Sequence, residues 1–315
     1  MELMNYTAEK NNTILVGTTS FSSISVDPLE LLKSTGYNII KANNRKFNEQ
    51  ELYEILPTCI GIIAGTEPYN QSILSLGKYI KVISRIGVGL DNVDLDYAAE
   101  RNIVVKTTNT DLSISVSELT ITMLLSLYKN INKNHSNVIN KSFKKVPGQM
   151  LSDKVVGIVG LGKIGKATLK LLKSFNCHFL AFDKEYDEGF LKKYGVKKVS
   201  LEDLFAKSDI ICLHLSYSPE LHHLINRELF NNCTQSPVII NTSRGLIIDE
   251  SDLIDALNNK LISGAALDVF EKEPYTGPLC DRDDVLLTPH IASFTKEVRG
   301  KIEIEAVNNL LNNLN

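Results

Sequence analysis

Three kinds of chemically useful side chain follow short apolar runs in the last quarter of the chain. Arg244 ends Asn241-Thr242-Ser243-Arg244, directly after Val238–Ile240. Asp268, Glu271 and Glu273 lie in ALDVFEKEP, and His290 lies in LLTPHIAS. A guanidinium stays charged and can clamp a carboxylate through two parallel hydrogen bonds. An imidazole gives or takes a proton near neutral pH. A carboxylate bonded to that imidazole holds one tautomer and steadies the charged ring. Taken singly, each residue has a plainer reading: a surface ion pair for Arg244, solvated loop charges for the acids, a structural histidine for His290. Taken together at successive strand ends, they can hold a 2-oxo acid and supply a proton when its carbonyl is reduced.

Such a set needs a source of reducing equivalents, and Lys154–Asp183 offers a place for one. Val155–Val159 reads as a buried strand, and Gly160, Gly162 and Gly165 punctuate GLGKIG. Lys163–Phe175 has helical periodicity, and His178–Phe182 reads as a second strand that stops at Asp183. Gly160 permits a tight turn, Gly162 lets a pyrophosphate approach the backbone, and Gly165 lets helix and sheet pack closely. The free N–H groups and the positive end of the helix dipole favour phosphate. Asp183, eighteen residues beyond Gly165, is placed to accept hydrogen bonds from an adenosine ribose. Its charge favours NAD over NADP, with Lys184 beside it as the opposing influence.

The elements that position these groups alternate along the whole chain. Thr13–Gly17, Asn38–Ile40, Cys59–Ala64, Lys81–Ser84 and Ile103–Val105 read as strands. Between them, Pro28–Thr35 (with Asp27 as N-cap), Asn48–Leu56, Asn70–Leu76 and Asp94–Glu100 read as helices. This first part has no dinucleotide glycine pattern. It does contain RIGVGLDNVD after a strand, where backbone N–H groups near Gly87 and Gly89 can hold a small carboxylate. Ser113–Asn130 is the longest helical pattern and is apolar on more than one side. Asn132–Met150 is polar and basic and reads as the loop leading to the glycine motif. Further on, Leu201–Ala206 (capped by Ser200), Asn226–Phe230 and Asp249–Asn259 read as helices. Ile210–Leu215, Val238–Asn241, Ser263–Val269 and Val285–Leu287 read as strands, and an amphipathic helix runs from Thr295. Alternation of this kind predicts parallel sheets covered by helices on both faces.

At 315 residues, two domains are expected. The formal net charge of −3 gives no field that would recruit nucleic acid or an anionic membrane. Cys59, Cys177, Cys212, Cys233 and Cys280 form neither a CxxC pair nor a metal-binding spacing with histidine, so no metal site is expected and a reducing, cytoplasmic setting is. The opening MELMNYTAEKNN is polar and lacks the apolar stretch of a signal peptide.

Six motifs in order resemble the D-isomer-specific 2-hydroxyacid dehydrogenase family, which includes phosphoglycerate dehydrogenase. They are ISRIGVGLDNVD (Ile83–Asp94), GIVGLGKIG (Gly157–Gly165), LHLSYSPELHHLIN (Leu213–Asn226), NTSRG (Asn241–Gly245), ALDVFEKEP (Ala266–Pro274) and LLTPHIAS (Leu286–Ser293). The resemblance implies an α/β protein of two doubly wound parallel-sheet domains, with a Rossmann NAD-binding domain (108–288) inserted into a flavodoxin-like substrate domain (1–107 and 289–315). It implies Arg244 as substrate anchor, Glu273, the acid directly before proline, as partner of the histidine, and His290 as acid and base. Val88 and Gly89 would hold the substrate carboxylate. NAD would lie against Gly160, Gly162, Lys163, Ile164, Gly165 and Asp183 on one side. Leu215, Ser216, Thr242, Ser243, Asp268 and His290 would complete its surroundings, with Asp268 near the nicotinamide carboxamide. A homodimer through the inserted domain is also implied.

Some positions depart from the pattern. Thr107-Thr108-Asn109 lacks the usual proline, Leu112 stands where many members have asparagine, and Ser216 stands where many have proline. Ala64-Gly65-Thr66-Glu67 has no arginine where some phosphoglycerate dehydrogenases carry one, and it adds a negative charge. An NAD(H)-binding regulatory protein of the same fold is the alternative from a different class. Formate dehydrogenase, which has glutamine where Glu273 stands, fits less well. L-lactate and malate dehydrogenases open with their dinucleotide motif, whereas here it begins near residue 155.

Overall fold

The computed structural model describes residues 12–43 and 45–314. The N-terminal stretch read above for a signal peptide lies almost entirely outside the described residues. The chain divides into two compact units, one of residues up to Asp111 plus those from Thr295, the other Leu112–Phe294.

The first unit is a five-stranded parallel sheet of β1 (Thr13–Val16), β2 (Asn38–Lys41), β3 (Cys59–Ala64), β4 (Val82–Arg85) and β5 (Val104–Thr107), in the order β2-β1-β3-β4-β5. Its early helices are α1 (Asp27–Lys33), α2 (Glu49–Ile55), α3 (Gln71–Leu74) and α4 (Leu95–Glu100). Asn48 starts α2 with a reciprocal capping box to Glu51, and Asn70 and Asp94 cap α3 and α4. At α1 the expected Asp27 cap is not formed. Asp27 is already helical, its carboxylate accepts from Ser25 Oγ at 2.9 Å, and Ser22 Oγ accepts from the Leu29 N–H at 3.1 Å instead.

The second unit begins with α5 (Ser113–Tyr128) and α6 (Ile131–Ile139). The sequence pattern predicts one long helix to Asn130 followed by a loop. The structure breaks at Asn130, which is left-handed with φ +50°, and starts a separate helix there. Then come β6 (Val155–Val159), α7 (Lys163–Leu172), β7 (His178–Phe182), α8 (Glu188–Tyr194), β8 (Val196–Lys198), α9 (Leu201–Lys207) and β9 (Ile210–Leu213). The unit closes with α10 (Arg227–Asn231), β10 (Val238–Asn241), α11 (Glu250–Asn258), β11 (Gly264–Leu267) and β12 (Val285–Leu287). The order is β12-β11-β10-β9-β6-β7-β8, all parallel.

The continuous apolar runs of these strands have a direct cause, since both faces of the sheet are buried. Ile211 and Leu213 join a core with Leu204, Phe205, Phe230 and Leu253. Their alternates Ile210 and Cys212 join a second core with Met123, Leu124, Leu169 and Leu172. Each such side chain withdrawn from water contributes about 1.5–3 kcal/mol.

The last helix, α12 (Lys296–Leu314), returns to the first sheet. Ile302, Val307, Leu310 and Leu314 are buried as its amphipathic pattern predicts, and Ser84 Oγ donates to the Ala306 carbonyl at 2.7 Å. The divisions fall at 111/112 and 294/295 rather than at 107/108 and 288/289. His290 therefore belongs to the second unit, because its loop is hydrogen-bonded to Asp268 at the end of β11.

Candidate active site

The glycine motif turns as its spacing requires. Gly160 has φ +93°, and a Cβ there would lie 2.7 Å from the His214 carbonyl oxygen. A Cβ on Gly165 would lie 2.1 Å from the Gly160 carbonyl oxygen, so only glycine lets α7 close onto the turn. Gly162 is the N-cap of α7, and a Cβ there would meet no atom within 4 Å. Open space therefore lies before the first turn of α7, whose N–H groups at Lys163, Ile164 and Gly165 have no carbonyl partner within the helix. Asp183 ends β7 and accepts from the Leu161 N–H through one oxygen and the Lys184 N–H through the other, the latter at 2.6 Å. The acid is thus fixed against the turn. These features fit a dinucleotide pyrophosphate and ribose.

The sheet order reverses between β6 and β9, where ligands of such sheets sit beyond the strand ends. His214, Leu215 and Ser216 leave β9 at that point. Both ring nitrogens of His214 are buried without a hydrogen-bond partner among the described residues, and burial pushes the ring down to about 4, so it is neutral near pH 7. His214 lies inside the Leu213–Asn226 motif, but its burial has no signal in the sequence.

At the end of β10, Asn241 organises its own turn. Its Oδ1 accepts from Ser243 N–H at 3.0 Å and Ser243 Oγ at 2.7 Å, and its Nδ2 donates to the Arg244 carbonyl at 3.0 Å. Thr242 Oγ1 lies 2.9 Å from Thr120 Oγ1 of α5. Thr120 spends its single proton on the Val116 carbonyl, so Thr242 is the donor. Arg244 is half-buried and donates from Nη1 to the Ser243 carbonyl at 2.8 Å.

His290 and Glu273 meet directly. His290 Nδ1 is 3.0 Å from both Glu273 carboxylate oxygens. Because the carboxylate is an acceptor, the proton belongs on Nδ1, and Nε2 is not engaged by Glu273. His290 has φ +56°, a conformation that non-glycine residues adopt only when their surroundings insist. Those surroundings centre on Asp268, which is fully buried. Its Oδ1 accepts from Thr288 Oγ1 at 2.6 Å and the Ile291 N–H at 2.8 Å, its Oδ2 accepts from the Ala292 N–H at 2.9 Å, and its carbonyl accepts from the His290 N–H at 2.9 Å. Burial pushes the Asp268 carboxyl up, against the pull of these hydrogen bonds. Ser115 Oγ of α5 adds a bond to the Ala292 carbonyl at 2.6 Å. Thr288, Ser115 and Thr120 were missed as site residues. Their trace in the sequence is a hydroxyl on an otherwise buried face, which must find a partner.

In the first unit, Gly87 has φ +125° and its N–H donates to Thr108 Oγ1 at 2.9 Å. Val88 is exposed, and among the described residues no hydrogen bond engages the N–H of Val88 or Gly89.

A Rossmann-type unit with a histidine–carboxylate pair and an arginine at its strand ends defines an oxidoreductase of the nicotinamide-dependent class. The profile of the "D-isomer specific 2-hydroxyacid dehydrogenase, NAD binding domain" matches residues 121–292. A glyoxylate reductase of Thermofilum pendens is 35% identical over 261 residues, covering 78% of this chain and 75% of that one. The D-3-phosphoglycerate dehydrogenase of Sus scrofa is 32% identical over 285 residues; this covers 89% of the present chain but only 53% of that enzyme, about half its length. The structure of D-lactate dehydrogenase from Aquifex aeolicus complexed with NAD and lactic acid superposes with TM-score 0.80 at 26% identity, covering 94% and 93% of the two chains. The chain belongs to the D-isomer-specific 2-hydroxyacid dehydrogenases, and it is an NAD-dependent enzyme of that family.

Proposed function

We propose that the protein interconverts a small D-2-hydroxy acid and its 2-oxo acid, of the size of glyoxylate, hydroxypyruvate or 3-phosphoglycerate, with His290, Glu273 and Arg244 as its catalytic residues. The observation that carries this reading is the two-oxygen contact of Glu273 with His290 Nδ1. Bound NADH supplies the hydride for reduction of the 2-oxo carbon. Protonated His290 gives its Nε2 proton to the nascent hydroxyl oxygen, while the Glu273 carboxylate keeps the ring oriented and offsets its charge. In the oxidative direction neutral His290 takes the hydroxyl proton at Nε2. Arg244 presents a planar fork of donors to the substrate carboxylate and carbonyl. The open N–H groups of Val88 and Gly89 provide further carboxylate donors. On the cofactor side, Gly162, Lys163, Ile164 and Gly165 offer backbone N–H groups to the pyrophosphate, and Asp183 takes the ribose hydroxyls. Leu215, Ser216, Thr242 and Ser243 line the strand ends beside them, and any contact of Asp268 with the cofactor comes in addition to its bonds within the His290 loop.

An NADH-oxidation panel of glyoxylate, hydroxypyruvate, pyruvate, 2-oxoglutarate and 3-phosphohydroxypyruvate tests the substrate class. Turnover of none of them sinks it.

Cofactor choice gives a second test. A 2′-phosphate would face the fixed Asp183 carboxylate, and the Lys184 Nζ that could offset it lies 3.6 Å from Glu220 Oε1. NADH is expected to exceed NADPH in kcat/KM by at least about tenfold, and Asp183→Asn should narrow that ratio. Equal use of both by the wild type contradicts the assignment of Asp183.

The same reading makes the enzyme a homodimer through the second unit. Phe143, Met150 and Ile139, on α6 and the segment after it, are 77%, 70% and 64% exposed, large apolar side chains that a partner subunit would cover. Ile139→Asp with Phe143→Asp should convert a dimer to a monomer in size-exclusion chromatography with light scattering. An unchanged mass removes Ile139 and Phe143 from the interface. The buried free thiols of Cys59, Cys177 and Cys212 suit a reducing, cytoplasmic setting, and among the described residues no helix is long and apolar enough to cross a membrane.

A further inference from the structure

In the first unit the strand order reverses between β1 and β3, so ligands are expected beyond the carboxyl ends of those two strands. What occupies that point is an acid. Glu67, on the loop after β3, accepts the Gly65 N–H through Oε2 at 2.8 Å. A Cβ added to Gly65 would lie 2.9 Å from both Glu67 carboxylate oxygens, and one added to Gly17, just past β1, would lie 3.2 Å from Oε2 and 2.3 Å from the Tyr69 hydroxyl. The two glycines therefore leave room for the carboxylate and the phenol at the switch point. Asn92 ties this loop to the one after β4, its Nδ2 donating to the carbonyls of Gly65 at 3.0 Å and Glu67 at 2.6 Å. The Glu67 loop and the Val88–Gly89 loop are thus joined as neighbours on one edge of one sheet. Among the described residues no cation lies within ion-pair distance of Glu67. Arg85, the nearby cation, is buried at the end of β4 and turns Nη1 onto the Ile86 carbonyl.

We infer that Glu67 selects substrates whose C3 end is uncharged, taking a hydroxyl such as that of hydroxypyruvate as a hydrogen-bond donor and repelling a phosphate or a second carboxylate. This rests on the reading above in one respect, that the Val88–Gly89 loop holds the substrate carboxylate. A hydroxyl gives the carboxylate a donor, whereas a phosphate ester brings two negative charges to an anion already desolvated on one side. The preferred substrate thereby differs from 3-phosphohydroxypyruvate by the phosphate alone.

Steady-state NADH oxidation with hydroxypyruvate and 3-phosphohydroxypyruvate, in the wild type and in Glu67→Gln, tests this. Glutamine keeps an oxygen acceptor for the Gly65 N–H, so the loop is retained while the charge is lost. The wild type is expected to favour hydroxypyruvate in kcat/KM by about a hundredfold, and Glu67→Gln to shrink that ratio about tenfold. Added salt should shrink the ratio in the wild type and leave it unmoved in the variant. Equal or faster turnover of the phosphorylated substrate overturns the inference and leaves the dehydrogenase reading standing. A hydroxypyruvate preference unchanged in Glu67→Gln removes Glu67 as its cause. Turnover of neither compound overturns this inference, and turnover of none of the five panel compounds overturns the proposed substrate class with it.

Discussion

His290→Ala should lower kcat by at least ~10² while NADH still binds. The expectation follows from where the ring is held. Nδ1 is committed to Glu273, so one nitrogen, Nε2, is left for the substrate oxygen. Removing the ring removes the proton donor but touches neither the glycine turn nor Asp183, so NADH affinity, read by fluorescence titration, should change little. The left-handed backbone at His290 makes alanine mildly unfavourable there, and His290→Asn serves as the control because asparagine tolerates that conformation. Both variants should lose turnover together. Glu273→Gln should retain more activity than either, since it keeps a hydrogen-bond partner for Nδ1 and loses only the charge. Near-normal kcat in His290→Ala would transfer the proton chemistry to another group.

Much of this arrangement was legible in the residues. The β6–α7–β7 segment could be read because each of its glycines answers a separate steric demand and because Asp183 stands at the distance the turn requires. Arg244, Glu273 and His290 were individually ambiguous and gained meaning from their position behind successive strands. What escaped were groups whose role depends on distant partners. Asp268 could be singled out, but not that Thr288, Ile291 and Ala292 would converge on its two oxygens. That convergence is also why the unit boundary lies beyond His290. Helix α6 was hidden for a different reason. Its Ile131, Val138 and Ile139 share a helical face at i, i+7 and i+8, but three apolar residues in the polar run INKNHSNVI are a faint signal, and all three are exposed rather than packed on the core. The α8–β8 step went unread although Asp187 caps α8 and Gly195, at φ +68°, ends it, because polar residues and lysines surround a short apolar core. Asp27 shows the limit of capping rules. An acid before a proline has the right type for a cap, yet Ser25 engages its side chain and Ser22 reaches the helix N–H instead.

Gly162→Val should abolish most NADH binding without unfolding the protein, and its contrast with Gly165→Val is what makes the result informative. The three glycines of the turn look alike in the sequence but face different surroundings. A side chain at Gly165 would strike the Gly160 carbonyl oxygen at 2.1 Å and force α7 off the sheet. A Cβ at Gly162 would meet no atom of the described residues within 4 Å, because the space before it is open. Backbone conformation does not forbid the change, since Gly162 has φ −71°. Valine at 162 should therefore leave the melting temperature near that of the wild type while occupying the volume assigned to the pyrophosphate. Overpacking of this kind costs about 1–3 kcal/mol, or about fivefold to 150-fold in NADH affinity. Valine at 165 should lower the melting temperature as well as the affinity. Calorimetric titration with NADH alongside thermal unfolding of both variants separates the two effects. If Gly162→Val binds NADH as tightly as the wild type, the open space before α7 is not where the pyrophosphate lies.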